Sequence, residues 1–403
     1  MSEPLVEVFR ERFGGDPTLV SRAPGRVNLI GEHVDYNGLP VLPMALQREA
    51  RIVLRPRRDG VVNLVNTDPE FDDVTYEVGV RIEPGPTGSW GNYVRAPAQE
   101  LARRYAILYG FDGVFSSDVP VASGLSSSSA LTNSVGLALA EINEVGLGPL
   151  DLGELMADAE QYTGTRGGGM DQAISMGARA GHAARIDFRP LKLHHVPVPS
   201  DWRFVVADTC VRAEKSGPAQ AAYNRRRAEC EEAFQLVAAE LVRTRRLPAA
   251  PAGYRELLRK VYDDEVLTAA ESALPDTLLR RFRHVVTEHA RVLEAQDLLY
   301  QADHAGFGML MDASHGSLRT DYLVSSAELD ELVALAKEGG AAGARLTGAG
   351  FGGCIVALAS MDTVDEVLEA LLTGYYEPRG LTDRVDDRLF LAIPSQGATF
   401  GAI

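Results

Sequence analysis

The sequence predicts an α+β chain in two lobes, and three observations predict it. The first half alternates strand-like and helix-like segments. The second half is dominated by long amphipathic helices with a few apolar strands. Pro190, Pro197 and Pro199 punctuate the junction between them, where the apolar pattern restarts. The expected lobes are residues 1–192 and 193–403, with the final strand able to return to the first lobe. A length of 403 residues suits this, at roughly 100–200 residues per domain.

The elements follow in order. Leu5, Val6, Phe9 and Phe13 fall at helical spacing in a charged N-terminus, which predicts an amphipathic surface helix and not a signal peptide. Residues 50–56 and 61–67 flank Arg57-Arg58-Asp59-Gly60, the pattern of a β-hairpin with a glycine-bearing turn. Helices are expected from Trp90 to Tyr105, over 130–145 and over 151–162, then strands at 184–188 and 203–208. A long charged amphipathic helix fits 219–244, a loop fits 245–254, and helices resume over 276–302 and 327–338. A glycine-rich strand region at 343–358, a helix at 362–373 and a closing strand at 388–394 complete the pattern.

Composition narrows the function. Hydrophobic residues make up 45% and charged residues 24%, which argues against disorder. Forty basic against fifty-six acidic residues give a net charge of −16, a field that repels nucleic acid. A polyanionic substrate would need a local exception, such as backbone N–H groups focused on one spot. Cys210, Cys230 and Cys354 lack metal or disulfide spacing, so a reducing, cytoplasmic setting is expected. No apolar run approaches membrane-spanning length, and no membrane partner is expected.

Four segments carry candidate chemistry. Val119-Pro-Val-Ala-Ser-Gly-Leu-Ser-Ser-Ser-Ser-Ala130 runs directly into a helix pattern. Glycine permits a sharp turn, and a helix N-terminus carries roughly half a positive charge, which suits a phosphate; serine also caps helices with no ligand present. No lysine follows, so the segment is not a standard P-loop. The run Ala23 to Tyr36 brings Arg26, Glu32, His33 and Asp35 together among glycines, a set of donors and acceptors suited to a polyhydroxylated ligand or simply to a solvated loop. Its Glu-His-x-Asp lacks the spacing of a zinc helix. Gly167-Gly-Gly-Met-Asp-Gln172 presents Asp171 from a flexible turn or a helix cap. Arg345-Leu-Thr-Gly-Ala-Gly-Phe-Gly-Gly-Cys354 is a second tight loop, against a ligand or another backbone. His182, His194, His195, His284, His289, His304 and His315 receive no role.

Together the segments resemble the GHMP-type small-molecule kinases, specifically the galactokinase branch. The sugar signature is Gly25 to Gly38, the phosphate loop is Gly124 to Ala130, and the third motif is Leu346 to Cys354; Trp90-Gly-Asn-Tyr-Val94 and Ser314-His-Gly-Ser-Leu-Arg319 extend the likeness along the chain. The resemblance implies an N-terminal lobe like domain 2 of ribosomal protein S5 and a ferredoxin-like C-terminal lobe, with ATP and sugar meeting between them. It implies that Asp171 accepts the proton of the anomeric hydroxyl with Arg26 as its partner, and that Glu32, His33, Asp35, Gly168 and Tyr223 hold the sugar. Gly124, Leu125, Ser126, Ser127, Ser128, Ser129, Ala130 and Trp90 would bind ATP, and Ser128 and Glu160 would bind Mg²⁺. The implied reaction is formation of galactose 1-phosphate, the first step of galactose catabolism, by a chain expected to be monomeric.

Departures bear on the sugar. Val34 stands where galactokinases usually have Thr, and Gly-Gly-Gly-Met-Asp171 stands where they often have Cys-Gly-Ile-Met-Asp. The stretch Gly164 to Gln172 and the four-serine loop look more like N-acetylgalactosamine kinases, whereas Tyr223 looks galactokinase-like. A non-catalytic ATP- and sugar-binding regulator is the reading from another class; against it, Ser126 to Ala130, Asp171 and Arg26 are all in place.

Overall fold

The computed structural model describes residues 3–164, 167–211 and 218–403. Thr165 and Arg166, inside the stretch compared with N-acetylgalactosamine kinases, lie outside the described residues. Helix α1 (Glu3–Phe13) precedes β1 (Leu19–Ile30), β2 (Leu42–Pro56), β3 (Val61–Asn66) and β4 (Val74–Glu77). Next come α2 (Gly91–Arg104), β5 (Phe111–Ser117), α3 (Ser127–Ile142), α4 (Pro149–Ala159) and α5 (Met170–Gly177). Strands β6 (His182–Asp187), β7 (Lys192–Pro197) and β8 (Trp202–Asp208) lead to α6 (Pro218–Arg243), α7 (Tyr254–Lys260) and α8 (Asp263–Ala273). The chain continues through α9 (Asp276–Gln301), α10 (His304–Ser317), α11 (Ala327–Glu338), β9 (Gly343–Thr347) and β10 (Cys354–Ser360). It ends with α12 (Val364–Leu371), β11 (Leu389–Ala392) and β12 (Thr399–Ala402).

The described residues form three sheets, ordered β12-β1-β2-β5-β3-β4, β11-β8-β10-β9 and β6-β7. The closing strand read at 388–394 is β11, in the second sheet, whereas β12 at the chain's end pairs with β1.

The expected hairpin between 50–56 and 61–67 does not form. Strand β5 inserts between the two, antiparallel to β2 and parallel to β3. Asp112 on β5 supplies a physical reason. Its buried carboxylate accepts from Arg57 Nη1 (2.9 Å) and Asn63 Nδ2 (2.8 Å), with Arg55 Nη2 at 3.4 Å, so it ties both neighbours to β5. A partner some fifty residues downstream leaves no mark in local alternation.

Packing places the ends of α3 and β1 at the site. Helix α3 is buried from Ser129 to Ala140, and its small residues Ala130, Ser134, Gly136, Ala138 and Ala140 let neighbouring elements approach closely. The second sheet lies between two cores, because successive strand residues point to opposite faces. Val205, Ala207, Ile355 and Ala357 join α6, α9, α11 and α12, while Phe204, Val206, Val356 and Leu358 join Phe307, Met311 and the first lobe. Helix α1 closes the outer face with Leu5 and Phe9 on Val53, Val65 and Val114.

Candidate active site

The sugar signature leaves its sheet where the chemistry gathers. The β1–β2 ladder is interrupted between Pro24 and Arg26 and again between Asn28 and Ile30, irregularities that re-aim side chains. At the first, Arg26 N–H bonds Leu125 O (3.0 Å), joining the signature to the phosphate loop. Gly25 permits the approach: a Cβ there would meet Leu125 O at 2.8 Å. Arg26, 4% exposed, donates through Nε to Asp171 Oδ1 (2.8 Å) and lies 2.7 Å from the same oxygen through Nη2, while Nη1 donates to Gly124 O. One guanidinium therefore fastens the signature, the phosphate loop and the first turn of α5.

Asp171 enters that turn after Gly169, whose φ of 95° starts α5. The preceding Gly168 packs on the signature: its N–H donates to Asp35 Oδ2 at 3.1 Å, and a Cβ would meet the Asp35 carboxyl at 2.4 Å. Burial, followed by the Asp171 charge, pushes the Asp35 carboxyl up to about 6. Burial lowers His33 to about 3, so its ring is neutral at pH 7, held between Tyr36 Oη (3.0 Å) and Ala349 O (3.1 Å). Tyr223 lies 5.6 Å from the rings of both His33 and Tyr36, and burial raises its phenol well above the ordinary range.

The phosphate loop caps nothing. Ser126 takes φ 64° at the N-terminus of α3 without a side-chain capping bond, and among the described residues its buried Oγ has no partner. The helix thus begins with N–H groups that no serine side chain satisfies. Ser126, Ser127, Ser128, Gly124, Arg26 and Trp90 line a cavity of about 620 Å³, within the range of small-molecule sites. Trp90 stacks on Phe115 at 5.8 Å and donates Nε1–H to Asp72 O, so the indole is held as a wall.

Other sequence-predicted residues stand behind that wall. Leu125 contributes its carbonyl to Arg26, and Ala130 N–H closes the first helical bond onto Ser126 O. Ser129 Oγ donates to Glu160 Oε1 (2.7 Å) and accepts from Gln172 Nε2 (3.1 Å), so the described hydrogen-bond partner of the Glu160 carboxylate is Ser129, the neighbour of Ser128. Glu32 is buried beneath the third motif, where its Oε1 accepts from Gly348 N–H (2.7 Å) and Thr347 Oγ1 (3.2 Å), with Arg345 Nη1 at 3.6 Å. Burial pushes the Glu32 carboxyl up against the opposing pull of Arg345 and Arg26.

Sequence reasoning missed residues that surround the candidate site. Tyr322 bonds Tyr36 Oη (2.6 Å) and packs 4.8 Å from His33. Arg345, wholly buried, donates to Asn28 O at 2.9 Å. Asn66, Phe71 and Phe115 complete the Trp90 side of the cavity. Arg345 opens the glycine-rich segment that ends at Cys354, a local signal in the sequence; the others carry none.

Comparison with known proteins defines the class and then the family. Residues 92–178 match the GHMP kinases N-terminal domain and residues 295–377 the GHMP kinases C-terminal model. The Methanococcus jannaschii mevalonate kinase structure shares this fold at 17% identity, with a TM-score of 0.60 over 94% of this chain and 98% of that one. The fold is thus that of a GHMP kinase. Residues 7–56 match the galactokinase galactose-binding signature. The chain is 42% identical to the galactokinase of Chloroflexus aggregans over 380 residues, 94% of this chain and 93% of the relative. It is 42% identical to that of Chloroflexus aurantiacus over 92% of this chain and 91% of the relative. The crystal structure of Lactococcus lactis galactokinase complexed with galactose superposes with a TM-score of 0.86 at 32% identity, over 98% of this chain and 99% of that one. The chain belongs to the galactokinase family.

Proposed function

We propose that this chain transfers the γ-phosphoryl group of ATP to the anomeric hydroxyl of galactose, with Asp171 as base and Arg26 as its partner. The observation that carries the reading is the Arg26–Asp171 pair, fastened at once to the signature and the phosphate loop. Galactose is the sugar favoured by the galactose-binding signature over residues 7–56. His33, Asp35, Gly168 and Tyr223 would face it. Glu32 would act from beneath, through its bond to Gly348.

As the C1 oxygen forms a bond to the γ-phosphorus, its proton passes to the Asp171 carboxylate and the bond to the ADP oxygen breaks. A guanidinium beside a carboxylate favours the ionised form, and here it would also face the transferring group. The phosphates would lie against the open N–H groups of α3 and the adenine against Trp90.

The donor set fits magnesium: a hydroxyl at Ser128 on the cavity wall and a buried carboxylate at Glu160 are hard oxygens, and the ion ordinarily completes its shell with water and phosphate. When bound, it supplies charge neutralisation for the phosphates.

A coupled ADP-release assay over galactose, N-acetylgalactosamine, glucose, talose, mannose and galacturonate tests the proposal. Galactose should give the highest kcat/KM, with phosphorus NMR showing a C1 phosphate. Faster turnover of N-acetylgalactosamine would reassign the substrate, and binding of both ligands without ADP release would remove the catalytic reading.

A further inference from the structure

The turn that follows β1 is gripped from the second lobe by two layers of buried side chains. In the first layer, on α9, Glu288 Oε1 accepts the N–H of Gly31 (2.9 Å) and His284 Nε2 lies 3.0 Å from the carbonyl oxygen of Glu32. In the second, on α10, Ser314 Oγ donates to Glu288 Oε1 (2.7 Å) and Ser317 Oγ lies 2.9 Å from His284 Nδ1. Glu288, His284 and Ser314 are wholly buried, and Ser317 is 8% exposed. His284 and Glu288 stand four residues apart and Ser314 and Ser317 three apart, so each helix offers its pair from a single face.

What they grip needs gripping. Gly31 has φ 100° and His33 has φ 62°, a left-handed conformation that a residue with a Cβ adopts only where its surroundings enforce it. The Glu32 carbonyl and the His33 N–H belong to one peptide, so fixing that oxygen fixes the plane from which His33 departs. Asp35 follows at the start of a single 3₁₀ turn. We propose that His284, Glu288, Ser314 and Ser317 are positioning residues that hold the Gly31–His33 turn so that His33 and Asp35 are presented to the sugar. This rests on the sugar-binding reading of the signature given above.

The proton arrangement is consistent with that task. A carbonyl oxygen only accepts, so His284 must carry its proton on Nε2. Burial lowers this imidazole to about 4, against the pull of Glu288, leaving a neutral ring whose Nδ1 is an acceptor facing the Ser317 hydroxyl, which also lies 3.2 Å from Asp321 Oδ2. Burial opposes charge on Glu288 as well, but Arg291, His284 and Arg345 together hold it down at about 2, a permanent acceptor for Gly31.

Two substitutions at one position separate positioning from bulk stability. His284→Leu removes the donor, whereas His284→Gln can return an amide N–H to the place of Nε2. With a buried carbonyl orphaned, His284→Leu should raise the KM for galactose about tenfold or more while the KM for ATP stays within about twofold. His284→Gln should recover most of the loss. Where His284→Leu does not fold, Ser317→Ala deletes only a hydroxyl and should raise the galactose KM about threefold with the ATP KM unchanged. Equal changes in both KM values, or a lower active fraction with an unchanged galactose KM, would overturn the assignment. Wild-type protein without galactose-dependent ADP release would instead overturn the functional reading beneath it.

Discussion

Asp171→Asn separates binding from chemistry more cleanly than any other substitution at this site. Arg26 directs both Nε and Nη2 at the same oxygen, Asp171 Oδ1, at 2.8 and 2.7 Å. An asparagine can place its amide oxygen there and keep both bonds, so the signature, the phosphate loop and α5 should stay joined. What is lost is the proposed proton acceptor, and positioned acid–base catalysis is worth about 10²–10⁴-fold. The substitution also removes a like charge that raises Asp35. The Asp35 carboxyl should then titrate below its wild-type value of about 6, and sugar binding near pH 6 should hold or improve. Calorimetry should therefore find galactose affinity preserved, and the ADP-release assay should find kcat reduced by about two orders of magnitude or more. Residual kcat within about tenfold of wild type would refute the role of Asp171 as base. Loss of galactose binding in a folded variant would refute the claim that an asparagine preserves the junction.

Asp35 yields a prediction in pH. Its raised folded value means that the protonated form stabilises the fold, a contribution lost as pH rises from the ordinary 3.8 through about 6. Asp35→Asn should accordingly melt higher than wild type at pH 8 yet bind galactose more weakly, and thermal melts beside calorimetry check both. In wild type, galactose affinity should fall as pH drops below about 6. Gly168→Ala would force a Cβ to within 2.4 Å of both the Asp35 carboxyl and Tyr36 N. Overpacking on that scale should weaken galactose binding about tenfold or more while an unhydrolysable ATP analogue binds as before, both read by calorimetry. Glu160→Gln can still accept from Ser129 but loses the charge, so half-maximal activity should require about tenfold more Mg²⁺, read from a magnesium titration of the assay.

The sequence revealed the site by its runs and concealed it where contacts are long-range. Arg26, Asp35, Asp171 and Ser126 to Ser128 were legible because each lies in a glycine-rich segment whose backbone must turn sharply beside a ligand. Helix α11 was legible residue for residue at 327–338, since amphipathic periodicity is a local property. The hairpin over 50–67 failed because the choice between β3 and β5 as partner for β2 is made by Asp112, far down the chain. Strand β12 escaped the residue pattern because four residues at an edge show too little alternation. Tyr322 and His284 were illegible for the same cause. Each looks like an ordinary helix residue until the second lobe closes over the signature, and only then does each meet its partner there.

The charge of the chain explains why the phosphate loop is built from serines. A molecule at −16 has to bind a polyanion, yet among the described residues lining the cavity Arg26 is the one charged side chain, and it is already bonded to Asp171. A lysine in the loop, the solution of the standard P-loop, would put a mobile ammonium near that carboxylate. It would compete with Arg26 for Asp171 and make the carboxylate a poorer base. Backbone N–H groups at the start of α3 carry partial positive charge without any such mobility, and they cannot swing onto Asp171. Small residues are what leave those groups open, and among the described residues the buried Ser126 Oγ has no partner. On the proposed reading, phosphate affinity would rest on the backbone, and the guanidinium would stay paired with Asp171.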